Sequence, residues 1–231
     1  MSLLVVIPAF NEAKSIGNVI QDIRLHIPNA SILVVDDGSK DNTAKVAESA
    51  NVSVLQLPFN IGVGGALRAG FLYAHRHSFT QVLQFDADGQ HKAEYASRLL
   101  EAAQGIDIVI GSRFTGAENN YDASFFRKLA IRLLSLVISK ICKTKLTDVT
   151  SGFRLSSSTA IELFMKDYPV EYLGDTIESL VIAHKAGLSI AEVPVQMSKR
   201  EFGSPSQNFL KSTWYLLRAI LVVVLSLIHR K

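Results

Sequence analysis

Apolar and polar positions alternate in blocks along the first half of the chain. Leu3-Leu4-Val5-Val6-Ile7 is an unbroken apolar run, the mark of a strand buried on both faces, and Pro8 ends it. Helical spacing follows from about Glu12 to His26, with Asn11 placed to cap it. A second strand, Ser31 to Val35, closes on Asp36-Asp37-Gly38-Ser39, and Asp41 or Asn42 then caps a helix to about Ala50. The pattern continues with a strand at Val52 to Leu57, a helix at Gly62 to His77 and a strand at Val82 to Phe85. A helix from Ala93 to Ala103 and a strand from Ile106 to Ile110, ending in Gly111-Ser112-Arg113, complete the series. This alternation predicts an α/β fold with a doubly wound, mainly parallel sheet. Right-handed crossovers would bring Pro8, Asp36-Asp37, Asp86-Asp88 and Ser112-Arg113 to one side of it.

Beyond residue 115 the alternation weakens. Phe125 to Ile141 reads as a basic amphipathic helix, with Lys128, Arg132, Ser135 and Ser139 on one side. Phe126, Leu129, Leu133, Leu136 and Val137 fill the other side, which either packs on the core or lies in a membrane interface. The pattern alone favours packing slightly. Thr150 to Ser156 predicts a short strand, Asp175 to Ala186 a helix and Ile190 to Val195 a last strand. Lys199 to Gln207 is polar and rich in Gly, Ser and Pro, as expected of a mobile loop. Phe209 to Ile228 is apolar apart from Lys211 and Arg218. Its uninterrupted part, Ala219 to Ile228, falls short of the roughly 20 residues that span a bilayer. Trp214, Tyr215 and His229-Arg230-Lys231 resemble interface anchors. The expectation is a catalytic domain over 1–205 and an apolar C-terminal helix over 206–231 that lies in, or dips into, a membrane surface or is buried in an oligomer.

Composition sharpens this picture. With 231 residues the chain can form one large α/β domain or two small ones. Hydrophobic residues make up 48% and the mean hydropathy is +0.23, high for a freely soluble enzyme, and the excess lies late in the chain. The net charge is only +3, with basic residues gathered between Arg127 and Lys145 and at the C-terminus. That suits anionic lipid or phosphate; no stripe of interleaved aromatic and basic residues suggests a nucleic-acid partner. A single cysteine, Cys142, excludes an internal disulfide and a Cys-based zinc site and fits a reduced, cytosolic setting. Met1 to Pro8 is too short, and lacks the basic start, for a signal peptide.

The candidate chemistry centres on Asp86-Ala87-Asp88-Gly89-Gln90 at a strand end. Mg²⁺ takes oxygen ligands, usually one or two carboxylates plus substrate phosphates. Ligands of open α/β sheets sit beyond the carboxyl ends of strands. A bare DxD is more often an acidic turn that caps the next helix; the convergence of the other strand ends argues for a site. Gly62 and Gly64-Gly65 open a helix whose N–H groups suit either an anion or close packing, without a Walker A or GxGxxG match. His75 and His77 are explained by a helix C-terminus.

Six segments now stand in a recognisable order: Pro8-Ala9-Phe10-Asn11-Glu12, Asp36-Asp37-Gly38-Ser39, Asn60-Ile61-Gly62, Asp86 to His91, Gly111-Ser112-Arg113-Phe114 and Thr150-Ser151-Gly152-Phe153-Arg154. Over residues 3–205 the chain resembles the family 2 glycosyltransferases of GT-A fold, and within them the dolichyl- and undecaprenyl-phosphate sugar transferases. The resemblance implies that Pro8, Phe10, Glu12, Asp36, Asp37, Gly62 and Asp86 bind the nucleotide sugar; the alternative for one of the paired aspartates is a turn former only. It implies that Asp86, Asp88 and Gln90 hold Mg²⁺ or Mn²⁺ against the diphosphate; His91 is not required as a ligand. A polyprenyl phosphate acceptor is already anionic and needs cationic positioning more than a general base. Arg113, Arg127, Arg154 and Arg200 stand at matching or near-matching positions for that phosphate, with Arg113 and Arg127 the stronger choices and a brace of the fold the alternative for Arg154. Asp175 and Glu178 are candidates for a base, an orienting group or a solvated carboxylate. The catalytic set implied is Asp88, Arg113, Arg127 and Asp175.

The activity implied is inverting transfer of a hexose or N-acetylhexosamine from a UDP- or GDP-sugar to polyprenyl phosphate. It would take place at the cytoplasmic membrane face and supply envelope glycan or glycoprotein assembly. The tail would anchor alone, form a homo-oligomer or use a small membrane partner. The rivals are a transferase acting on a glycan hydroxyl, and a non-catalytic nucleotide-sugar-binding scaffold.

Overall fold

The computed structural model describes residues 2–115, 125–170 and 174–198. Arg200, the loop from Lys199 and the tail lie outside the described residues, as does the side chain of Arg127. The elements are β1 (Leu3–Ala9), α1 (Ile16–His26), β2 (Ser31–Asp36), α2 (Thr43–Ser49), β3 (Ser53–Gln56), α3 (Val63–Arg76) and β4 (Gln81–Gln84). A 3₁₀ turn (Ala93–Tyr95) leads into α4 (Ala96–Ala102), β5 (Ile108–Ser112), α5 (Phe125–Cys142), β6 (Arg154–Ser157), α6 (Ser158–Phe164), α7 (Gly174–Lys185) and β7 (Ile190–Pro194). The seven strands form one sheet in the order β3-β2-β1-β4-β6-β5-β7. All run parallel except β6, which is antiparallel to both β4 and β5.

The sheet divides the core in two. Along β1, Leu4 and Val6 face a cluster built on α3, α5, α6 and α7, while Val5 and Ile7 face α1, α2 and α4. All four are at most 1% exposed, so the continuous apolar run serves both layers. Gly70 lets α3 sit directly on this strand, since a Cβ there would lie 2.4 Å from Val6. The chain winds outward from β1 through β2 to β3, then returns to the other side of β1 as β4. This reversal opens a crevice at the carboxyl ends of β1 and β4.

Four expectations change. The first helix starts at Ile16, not Glu12, with Ser15 at the capping position. Asn11 adopts a left-handed conformation (φ 57°) and accepts the Lys40 N–H, tying two site loops together instead of capping a helix. The strand foreseen at Thr150–Ser156 forms only from Arg154, because the preceding loop turns its polar groups towards neighbouring strands. Between it and α7 the short helix α6 is additional, capped by Ser157, whose hydroxyl accepts the Ala160 N–H.

The fourth change concerns α5, whose inward face carries Ile131, Leu134, Ser135, Ile138 and Cys142. Ser135 and Ser139 donate to the carbonyls of Thr147 and Leu146, which draws that edge inward. Leu129, Leu133 and Leu136, assigned by pattern to a single apolar side, are instead 43%, 50% and 62% exposed. The helix is apolar around most of its girth, so spacing could not choose its buried face. Among the described residues, no helix is long and apolar enough to cross a membrane.

Candidate active site

Loops after β1 and β2 form the first wall. The Asp37 N–H donates to the Ala9 carbonyl, the Asn11 N–H to Ser39 Oγ and the Glu12 N–H to Thr43 Oγ1. Phe10 stays 43% exposed at the rim, while Asp36 and Asp37 are buried. The two aspartates differ in their partners. Asp36 accepts the Ser39 N–H, whereas Asp37 accepts the N–H groups of Ile61 (2.8 Å) and Gly62 (2.9 Å). Burial raises the Asp37 carboxyl, and those two backbone donors oppose the rise. Asp37 therefore holds the Ile61 and Gly62 N–H groups just ahead of α3. Close packing explains the next glycine, since a Cβ on Gly64 would lie 2.1 Å from the Pro169 carbonyl oxygen.

The acidic loop after β4 is held from beneath by His91. The Asp86 N–H donates to His91 Nδ1 (3.1 Å), which places the ring proton on Nε2, 3.4 Å from Asp86 Oδ2. His91 is buried, stacked on Phe153 and edge-on to Phe85. Asp88 Oδ1 accepts the Gln90 N–H (3.0 Å), a local turn that Gly89 permits with φ 75°. The Gln90 carbonyl accepts the Ser198 N–H, so the segment after β7 braces the loop. Asp86 has a 38% exposed side chain, and Asp88 is 7% exposed.

The loop entering β6 lies between this acidic edge and the Arg113 side chain. On one side, a Cβ on Gly152 would sit 3.2 Å from both Asp86 carboxylate oxygens. On the other, Thr150 Oγ1 accepts from Arg113 Nη2 at 2.8 Å. Arg113 also grips Asp148 with a fork, Nε to Oδ2 at 2.6 Å and Nη2 to Oδ1 at 2.7 Å, while its backbone N–H donates to Oδ2. Complete burial would raise the Asp148 carboxyl, but the Arg113 guanidinium and its hydrogen bonds hold it below the usual carboxylate range. Arg154 is buried and donates to the carbonyls of Ser151 and Val149 and to Ser179 Oγ.

Behind Arg154 lies Asp175, 6% exposed. Burial pushes its carboxyl up to about 6 against the pull of Arg154, and the Asp86 carboxylate adds to the rise. Glu178 is exposed. The native state therefore holds the Asp175 proton more tightly than the unfolded chain, and stability from this group is lost as pH rises from about 4 through about 6. Urea unfolding of wild type and Asp175→Asn should show the difference between them moving in favour of the variant across that window. A constant difference would mean that Asp175 does not titrate there.

The sequence profile described as Glycosyl transferase family 2 matches residues 4–164. The chain belongs to that family. It is 32% identical over 214 residues to the undecaprenyl-phosphate mannosyltransferase of Micrococcus luteus, covering 90% of this chain and 88% of that protein. It is 28% identical over 219 residues to the UDP-N-acetylglucosamine–dolichyl-phosphate N-acetylglucosaminyltransferase of Methanococcus voltae, covering 87% of each. The crystal structure of glucosyl-3-phosphoglycerate synthase from Mycobacterium tuberculosis with Mn²⁺, UDP-glucose and phosphoglyceric acid shares its fold, with a TM-score of 0.72 at 22% identity. That match spans 97% of this chain and 79% of the other.

In this glycosyltransferase, Pro8, Phe10, Glu12, Asp36, Asp86, Asp88 and Gln90 lie on loops or strand ends at the carboxyl edge of the sheet. Arg113 joins them across the 150–152 loop, while Arg154 is drawn into the core. Asp148 and Ser179, the partners of Arg113 and Arg154, and Glu192, which accepts the Asp148 N–H, were not marked by the sequence reading. Glu192 alone left a signal: a carboxylate inside the otherwise apolar strand Ile190-Ala191-Glu192-Val193.

Proposed function

We propose that this glycosyltransferase moves a hexose or N-acetylhexosamine from a nucleotide-diphosphate sugar to polyprenyl phosphate, at a membrane surface. The observation that carries the reading is a single loop that meets Asp86 at Gly152 and Arg113 at Thr150. Relatives named for undecaprenyl and dolichyl phosphate support the acceptor class. Their different sugars leave the hexose to be measured.

Pro8, Phe10, Glu12 and Asp36 would line the nucleotide, while Asp37 and Gly62 shape that wall from within. Asp86, Asp88 and Gln90 carry the oxygen ligand types that Mg²⁺ or Mn²⁺ takes and would hold such an ion, leaving the rest of its shell to phosphate and water. A divalent ion bound there supplies positive charge to the departing nucleoside diphosphate. Arg113 would orient the acceptor phosphate, one of whose oxygens attacks the anomeric carbon and inverts it. Arg127 and Arg200 are further candidates for that phosphate, and Arg154 acts as a brace. Because the nucleophile is already anionic, no proton needs to leave during attack.

The outward face of α5 supports membrane docking. Leu129, Leu133 and Leu136 are exposed there, with exposed Arg132, Lys140, Lys143 and Lys145 on the same helix and the turn after it. Residues 206–231 would add an anchor or a contact within a homo-oligomer or with a small membrane partner, on the cytoplasmic face. A second reading draws on Asp175, whose raised carboxyl suits a general base for a glycan hydroxyl.

The test is transfer of radiolabelled sugar from a panel of UDP- and GDP-sugars in membranes containing the protein and polyprenyl phosphate. The expected product is a mild-acid-labile glycolipid from one donor, absent under EDTA. Label entering glycan but not lipid would favour the hydroxyl acceptor, and tight nucleotide binding without turnover would favour a scaffold.

A further inference from the structure

Glu192 lies on β7, the edge strand beyond β5, and its carboxylate closes on a turn rather than on a cation. Oε1 accepts the backbone N–H groups of Thr147 and Asp148, both at 2.9 Å. Oε2 accepts the Thr147 N–H and its hydroxyl, both at 2.8 Å. The same hydroxyl lies 2.7 Å from Ser112 Oγ, next to Arg113 in the chain. Thr147 and Asp148 belong to no strand or helix, so this side chain does for them what a neighbouring strand does elsewhere. The following side chain is the Asp148 carboxylate that forks with Arg113.

We propose that Glu192 is a positioning residue for the transfer reaction. By fixing the 147–148 turn it sets the angle of Asp148, and through Asp148 the place at which Arg113 meets the acceptor phosphate. The proposal rests on the acceptor reading of Arg113. A carboxylate suits this turn because Oε1 receives both N–H groups while Oε2 shares that of Thr147 and takes its hydroxyl. An amide in its place would turn an NH₂ group towards one of them. Small displacements of a group that orients a reactant weigh heavily on rate.

The test is a double-mutant cycle in steady-state kinetics on the full chain, with polyprenyl phosphate and nucleotide sugar varied separately. Glu192→Gln should raise the acceptor KM about tenfold and leave the nucleotide-sugar KM within about twofold. Arg113→Lys keeps a charge for Asp148 but loses the fork, and it should raise the acceptor KM itself. In that background Glu192→Gln should add less than about twofold, because the group it positions is already gone. An equal effect of Glu192→Gln in both backgrounds would reduce Glu192 to a brace while sparing the role of Arg113. An unchanged acceptor KM in Arg113→Lys would instead overturn the reading of Arg113, and the relay with it. No change of acceptor KM in folded Glu192→Gln would overturn the relay alone. If Glu192→Gln does not fold, Glu192→Asp keeps the charge but draws the carboxylate back from the Thr147 and Asp148 N–H groups, and should move the acceptor KM the same way by about threefold; a flat result there would equally overturn the relay.

Discussion

Asp88→Ala should lower sugar transfer by about 10³-fold or more, the scale expected when a preorganised charge is removed from the leaving-group side of a reaction. Two roles of Asp88 have to be separated. Its Oδ1 accepts the Gln90 N–H and so shapes the loop, whereas its charge would serve the diphosphate and the divalent ion. Asp88→Asn keeps an acceptor for that N–H and loses the charge. Initial rates should therefore fall by about 10²-fold or more in the Asn variant as well. Calorimetry should show nucleotide diphosphate binding that no longer depends on Mg²⁺ or Mn²⁺ in either variant. Near wild-type rates in Asp88→Asn would make Asp88 a turn former and move the metal reading elsewhere.

The largest stability effect is expected at Arg154. Arg154→Leu should destabilise the fold by about 3–5 kcal/mol, the range for removing one partner from a buried charged network. The side chain makes three hydrogen bonds, to Ser151 O, Val149 O and Ser179 Oγ, all within the core. Its removal strands those acceptors. It also withdraws the cation whose charge is felt by Asp175, Asp148 and Glu192. Urea denaturation at constant pH is the measurement, and Arg154→Lys should recover part of the loss by returning charge without the planar fork. A loss below about 1 kcal/mol, with acceptor binding abolished, would return Arg154 to the phosphate site.

The parts legible in the sequence were those written in one stretch of chain. The β1 run and the places of the acidic segments at the ends of β2 and β4 follow from local pattern alone. Strand direction is not written that way. Nothing in Arg154-Leu155-Ser156-Ser157 distinguishes a parallel strand from the antiparallel one that β6 forms. Nor is a buried face fixed by composition when a helix such as α5 is apolar most of the way round. The Arg113–Asp148 pair joins residues 35 positions apart and exists only because β5 and the loop before β6 are neighbours. Asn11 misled for a different reason: its residue type suits both a helix cap and a left-handed turn, and contacts with Ser39 and Lys40 chose the second.

The reversal of β6 has a consequence for how the enzyme is partitioned. In a wholly parallel sheet only loops that leave strands reach the catalytic edge. Here one loop arrives there on its way into a strand, and it passes between Asp86 and Arg113. On the proposed reading it would work as a party wall, with the donor on the side of the first strands and the acceptor on the side of β5 and β7, each furnished from a different stretch of chain. Exchanging segments beyond β5 between relatives should therefore alter the choice of acceptor while the preference for nucleotide stays with the first half.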